Sequence, residues 1–264
     1  MTGKNIVLAA IALIVISVVF ARGPVPQDPY YHLFADQRTI FGIPNGMNVL
    51  SNIGFIISGA WGMTFLFLLL KQGGTTALLL EYLLFCFGVF LSGIGSYFYH
   101  YRPDNASLVW DRLPMTMAFM AFLSSMISER IDRRAGAVLL APLLATGAFS
   151  VAYWAWSESV GRGDLRLYVV VQFLPLILLP LILILFKSPR SYSIPVWSLA
   201  VLYVLAKVLE HFDRSVYVMT GFVSGHTLKH VLAAAGTGCI VKMLYDRKEA
   251  LTDSLHDHTS QRAG

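Results

Sequence analysis

Apolar residues fill most of the chain in eight long runs, and polar residues gather in the short gaps between them. The first run covers residues 4–21 and opens at Lys4. Seven more follow at about 46–70, 75–99, 109–129, 135–156, 166–187, 194–210 and 223–245. A helical span of the hydrocarbon layer needs about 20 residues, and some manage with about 17. Runs of this length without a period-2 alternation predict transmembrane helices rather than amphipathic helices or strands. The expected fold is therefore all-α: a polytopic membrane protein with a seven-transmembrane-helix bundle and one additional N-terminal hydrophobic helix. The expected organisation is a signal anchor or signal peptide at 1–22 and an outer-face segment at 23–45. A seven-helix bundle follows at 46–245, then a disordered cytoplasmic tail at 246–264, which carries His256 and His258.

Composition agrees. Of 264 residues 56% are hydrophobic and only 13% charged, against about a quarter charged in soluble domains. The net charge of +5 is informative through its distribution and is no nucleic-acid footprint. With the N-terminus cytoplasmic, alternation puts Lys71, Arg130, Arg133, Arg134, Lys187, Arg190, Lys242, Arg247 and Lys248 inside. The outer segments mix Arg22, Arg38, Arg102, Arg162, Arg166 and Arg214 with a similar number of acids, so the positive-inside rule favours this orientation moderately. A bacterial inner membrane is the expected location. Cys86 and Cys239 sit in apolar runs and read as small packing residues.

The polar residues inside the apolar runs carry the chemistry. The last run opens Ser224-Gly225-His226-Thr227-Leu228-Lys229-His230. Histidines at i and i+4 share a helix face, and such a pair is half of a common zinc site. The second core run ends Ser96-Tyr97-Phe98-Tyr99-His100, with Ser96 and His100 again four apart. After a loop at Tyr101–Ser107, the third opens at Val109-Trp110-Asp111-Arg112, which places Asp111 in its first turn at the positive end of the helix dipole. The alternating topology brings His100, Asp111, His226 and His230 to one membrane level, on the outer side. Three neutral histidines plus a water is the open pattern of a catalytic zinc. Glu210 and Asp213, just before the last run, are candidates to orient a ligand imidazole.

The spacing Ser96-x-x-x-His100, Asp111, His226-x-x-x-His230, together with Asn48-Val49-Leu50-Ser51-Asn52, resembles the alkaline ceramidase family. That family lies within the seven-helix membrane hydrolases that include the adiponectin-type receptors, and the resemblance spans residues 45–245. It implies zinc on His100, His226 and His230, with Ser96 and Asp111 lining the site. It also implies hydrolysis of the amide of ceramide or another N-acyl lipid to a sphingoid base and a fatty acid. One departure stands out. Animal members resemble one another in an acidic calcium-binding segment, whereas here Asp36 is the lone carboxylate, beside Arg38, with Asn45 further on. Calcium wants several oxygen ligands, so zinc is the expected cofactor and calcium is not.

The chemistry expected is zinc-assisted amide hydrolysis, with Asp111 moving protons and Ser96 hydrogen-bonding the zinc water or the oxyanion, at a site open to lipid from the side and to water from outside. The alternative is a receptor-like seven-helix protein in which zinc is structural and hydrolysis slight. A transporter would carry ionisable groups through the depth of the bilayer; outside the site, Glu81 and Lys207 are the main ones, both near helix ends.

Overall fold

A computed structural model describes residues 3–71, 77–188 and 190–248. The expected tail, with His256 and His258, lies almost wholly outside the described residues. Helix α1 (Gly3–Ala21) precedes an extended segment with a single 3-10 turn at Pro29–His32. Then come α2 (Gly46–Leu50), α3 (Ile53–Lys71), α4 (Ala77–Tyr101), α5 (Asn105–Arg130) and α6 (Arg133–Ser159). The chain continues through α7 (Arg166–Leu185), α8 (Arg190–His211), α9 (Asp213–Thr220) and α10 (Gly225–Asp246). Among the described residues there is no strand, so the protein is an all-α bundle. Helix α1, the Gly46–Lys71 span (made of α2 and α3), α4, α6, α7 and α8 are long and apolar enough to cross a membrane.

Helices α5 and α10 are long enough, at 26 and 22 residues, but less apolar. The reason is their position. Asp111, Arg112, Ser124, Ser128 and Arg130 of α5, and His226, Thr227 and His230 of α10, are all buried inside the bundle, where other side chains rather than lipid surround them. Helices α3, α4, α5, α7, α8 and α10 ring the centre, while α6 packs against α5 and α7. Helix α1 runs antiparallel to α7 from outside: Lys4 Nζ donates to Leu185 O (2.7 Å) at one end, and Arg166 Nη1 donates to Arg22 O (2.8 Å) at the other.

Three boundaries differ from expectation. The first core run is broken at Ser51–Asn52 into α2 and α3. Helix α5 begins at Asn105, not Val109. Asp104 caps it, its carboxylate accepting from Ser107 N (2.6 Å) while Ser107 Oγ accepts from Asp104 N (3.1 Å). This reciprocal capping box turns the expected loop into the first turn. Asp111 is consequently the seventh helical residue, beyond the first turn where the dipole acts. The third is α9, an amphipathic helix with no buried residue, which no apolar run announced.

Candidate metal centre

Histidine 100 ends α4, and His226 and His230 begin α10, so the three imidazoles meet at one end of the bundle. His100 Nε2 lies 3.2 Å from His230 Nε2 and 3.3 Å from His226 Nε2. One ligand atom from each residue falls within 4.8 Å of the others. All three side chains are buried, none more than 4% exposed. An ion held tetrahedrally by imidazoles at about 2.0–2.1 Å spaces its nitrogens about 3.3 Å apart. Two of the three edges match that value, so the donor set fits a metal ion.

The surroundings orient the donors. Ser51 Oγ donates to Asn48 O (3.0 Å) and lies 2.8 Å from His230 Nδ1. A hydroxyl has one proton, and here it goes to the carbonyl. The serine oxygen then accepts Nδ1–H of His230, which leaves the Nε2 lone pair facing the cluster. The break between α2 and α3 is what presents Ser51 to α10. Asn48 locks the same junction: its Oδ1 accepts from Thr227 Oγ1 (2.8 Å), and its Nδ2 donates to Asp36 O (3.2 Å). Ser224 caps α10 by accepting from Thr227 N (3.1 Å). The Asn48–Asn52 stretch therefore braces the start of α10.

Asp213 does not hold a ligand imidazole. Its carboxylate accepts from His226 N (2.7 Å) and Ala35 N (2.9 Å), which fastens the outer segment over the start of α10. That segment delivers Phe34, whose ring centroid lies 4.7 Å from that of His100 and 4.8 Å from that of His226. The histidines are thus covered on this side, contrary to the expected opening to water. Asp36 is buried and clasped by Arg38, which donates from Nε (2.8 Å) and Nη2 (2.7 Å). That guanidinium holds the Asp36 carboxyl below the usual aspartate value. Asn45 Nδ2 donates to His100 O (2.9 Å). The two residues considered for calcium therefore brace the outer segment and the end of α4.

Beside the histidines a cavity of about 410 Å³ runs down the centre of the bundle. His230, Ser96 and Asp111 line its upper part. Lower walls are apolar, including Phe85, Phe122, Leu179 and Leu199. From Asp111 to Phe122 is eleven helical residues, about 16 Å at 1.5 Å per residue, roughly half of the ~30 Å hydrocarbon thickness.

Two cations, Arg112 buried and Lys229 half-buried, were not anticipated, although both stand in apolar runs, where a charge signals function by default. Lys229, between the two α10 histidines, reaches Glu210 Oε1 (2.9 Å) and His226 Nε2 (2.9 Å). Glu210 also pairs with Lys207, so it serves the lysines and not an imidazole. A metal ion bound through His226 Nε2 would compete with Lys229 for that lone pair. Arg112, the neighbour of Asp111, is buried and lines the cavity. No family model matches the chain, and no curated protein matches it.

Proposed function

We propose that the protein is a membrane zinc amidase that hydrolyses the amide of ceramide-like N-acyl lipids to an amine and a fatty acid. One observation carries the reading: a buried three-histidine group opens through His230 onto a deep, mostly apolar cavity whose polar end holds Ser96 and Asp111. A single chain with a polar amide at its head matches that division of the walls. The spacing that resembles the alkaline ceramidases points the same way.

Zinc bound to three imidazoles lowers the pKa of a water to about 7 and polarises a carbonyl. The protein's own groups do the rest. Asp111 accepts a proton from the attacking water and returns it to the leaving amine, which turns a poor leaving group into a neutral one. Ser96 donates its hydroxyl to the carbonyl oxygen as negative charge grows there; one such donor is worth about 3 kcal/mol. The apolar walls take up the acyl chain, and Phe34 keeps bulk water from the histidines. The membrane would be a bacterial inner membrane, with this end of the bundle facing outward, as the distribution of Lys and Arg favours.

The test is release of fatty acid by purified protein in detergent from a panel of ceramides and other N-acyl lipids, with zinc and with a chelator. Hydrolysis that needs zinc, and falls at least about a hundredfold in Asp111→Ala while the metal content is kept, supports the proposal. Stoichiometric zinc with no turnover on any lipid would make the metal structural and the protein receptor-like.

A further inference from the structure

Arg112 is 5% exposed. The faces of its guanidinium are taken: the Trp154 ring centroid is 4.2 Å and the Tyr168 centroid 4.6 Å from the guanidinium carbon, with Tyr31 at 5.7 Å. One edge is taken as well, because Nη2 donates to Gln27 Oε1 at 2.7 Å. Among the described residues Nη1 is buried with no hydrogen-bond partner, and no carboxylate among them lies within ion-pairing distance of this cation.

Aromatic rings stabilise a guanidinium from above and below, but they satisfy no N–H. Arginine does not escape by losing a proton, and a buried charge without a partner is costly. Arg112, Gln27 and Tyr31 all line the cavity that reaches His230. They sit at its upper end, one residue along α5 from Asp111, where the amine side of an N-acyl lipid would lie once its chain filled the apolar walls.

We propose that Arg112 is a specificity residue that binds a carboxylate on the amine side of the lipid through Nη1, so that the favoured substrates are N-acyl amino acids rather than neutral ceramides. One free nitrogen, with its two N–H groups, on a cation that makes no ion pair matches a monoanion; a dianionic phosphate would call for donors from several residues. This deepens the amidase reading and rests on it for the word substrate, but the binding site itself does not depend on turnover.

The experiment is isothermal titration of the zinc-loaded protein in neutral detergent with N-lauroylglycine, the uncharged N-lauroylethanolamine, and laurate. The wild type is expected to bind N-lauroylglycine at least about tenfold more tightly than N-lauroylethanolamine, the scale of one charge-assisted hydrogen bond. That preference should shrink to within about twofold in Arg112→Gln. Gln27→Glu, which leaves Arg112 in place and gives it an internal carboxylate, should shrink it similarly and guards against misfolding of the first variant. No preference in the wild type, or a preference that survives both variants, overturns the inference and leaves Nη1 to a water. Laurate binding more tightly than N-lauroylglycine, with the same dependence on Arg112, overturns the assignment to the amine side. Hydrolysis of neutral lipids without discrimination would sink this inference and leave the amidase standing. An Arg112-dependent preference in binding with no hydrolysis of any lipid would do the reverse.

Discussion

At the scale of single residues, the metal group was legible because its signal is local. His226 and His230 are one turn apart, and any α-helix puts them on one face. The residue that orients them was not legible in the same way, because Ser51 meets His230 across 179 positions of sequence. Its role depends on the break between α2 and α3, which interrupts an otherwise continuous apolar run. The hydrogen-bond directions assign Ser51 to holding the His230 tautomer, and that makes a prediction. Ser51→Ala leaves the Nδ1 proton without an acceptor and should weaken zinc by about 10–100-fold, the usual cost of losing an outer partner of a ligand histidine. Competition against a chromophoric chelator measures it. An affinity equal to wild type would show that packing alone, from Phe34 and Phe55, fixes the rings. Lys229 is the opposite lesson. Its position between the histidines was visible, but only the fold shows that it turns to Glu210 and to His226 Nε2.

At the scale of helices, the site depends on how closely α4 and α5 approach. A Cβ built on Gly95 would stand 1.9 Å from Trp110 O, so backbone lies against backbone at the point where Ser96 and Asp111 face each other. Small residues at such crossings are the usual means of close packing in membranes. Gly95→Ala should force the two helices apart, separate Ser96 from Asp111, and lower the thermal midpoint in detergent by roughly 2–12 °C, from a packing cost of about 1–3 kcal/mol. Gly238→Ala is the control, since a Cβ there meets nothing within 4 Å. Equal midpoints for the two variants would remove the close approach from the account. The helices themselves were readable from their apolar runs, and their ends were not. Pro103 and Asn105 read as loop residues, whereas the Asp104–Ser107 capping box starts α5 there. Helix α9 escaped notice because it covers the end of the bundle and buries nothing. Arg112 and Lys229 were passed over because a hydropathy run averages away one charge, and that one charge is what the bundle interior must accommodate.

At the scale of the whole molecule, the cavity explains why α5 and α10 can carry so many polar groups in a chain of this hydropathy: the other helices screen them from lipid. The ring of α3, α4, α5, α7, α8 and α10 encloses a space that is polar at the level of the histidines and mostly apolar below it. Gln172 Nε2 donates to Tyr203 Oη (2.9 Å), tying α7 to α8 partway down its wall. Depth along this space translates into chain length. Ala200, on α8, lines the cavity ten residues before Glu210, about 15 Å deeper at 1.5 Å per residue. A phenyl ring there would fill the lower end without touching any group near the three histidines. If the acyl chain occupies this space, Ala200→Phe should cut kcat/KM for a long-chain N-acyl lipid by at least about tenfold, since a long chain would have to leave apolar surface in contact with water or displace the ring. A short-chain analogue, which ends above Ala200, should stay within about threefold of wild type, because nothing it touches has changed. Equal losses on both chains would mean that the ring disturbs the bundle as a whole. No loss on either would mean that the chain leaves the site by another route, along the outer surface of the helices rather than between them.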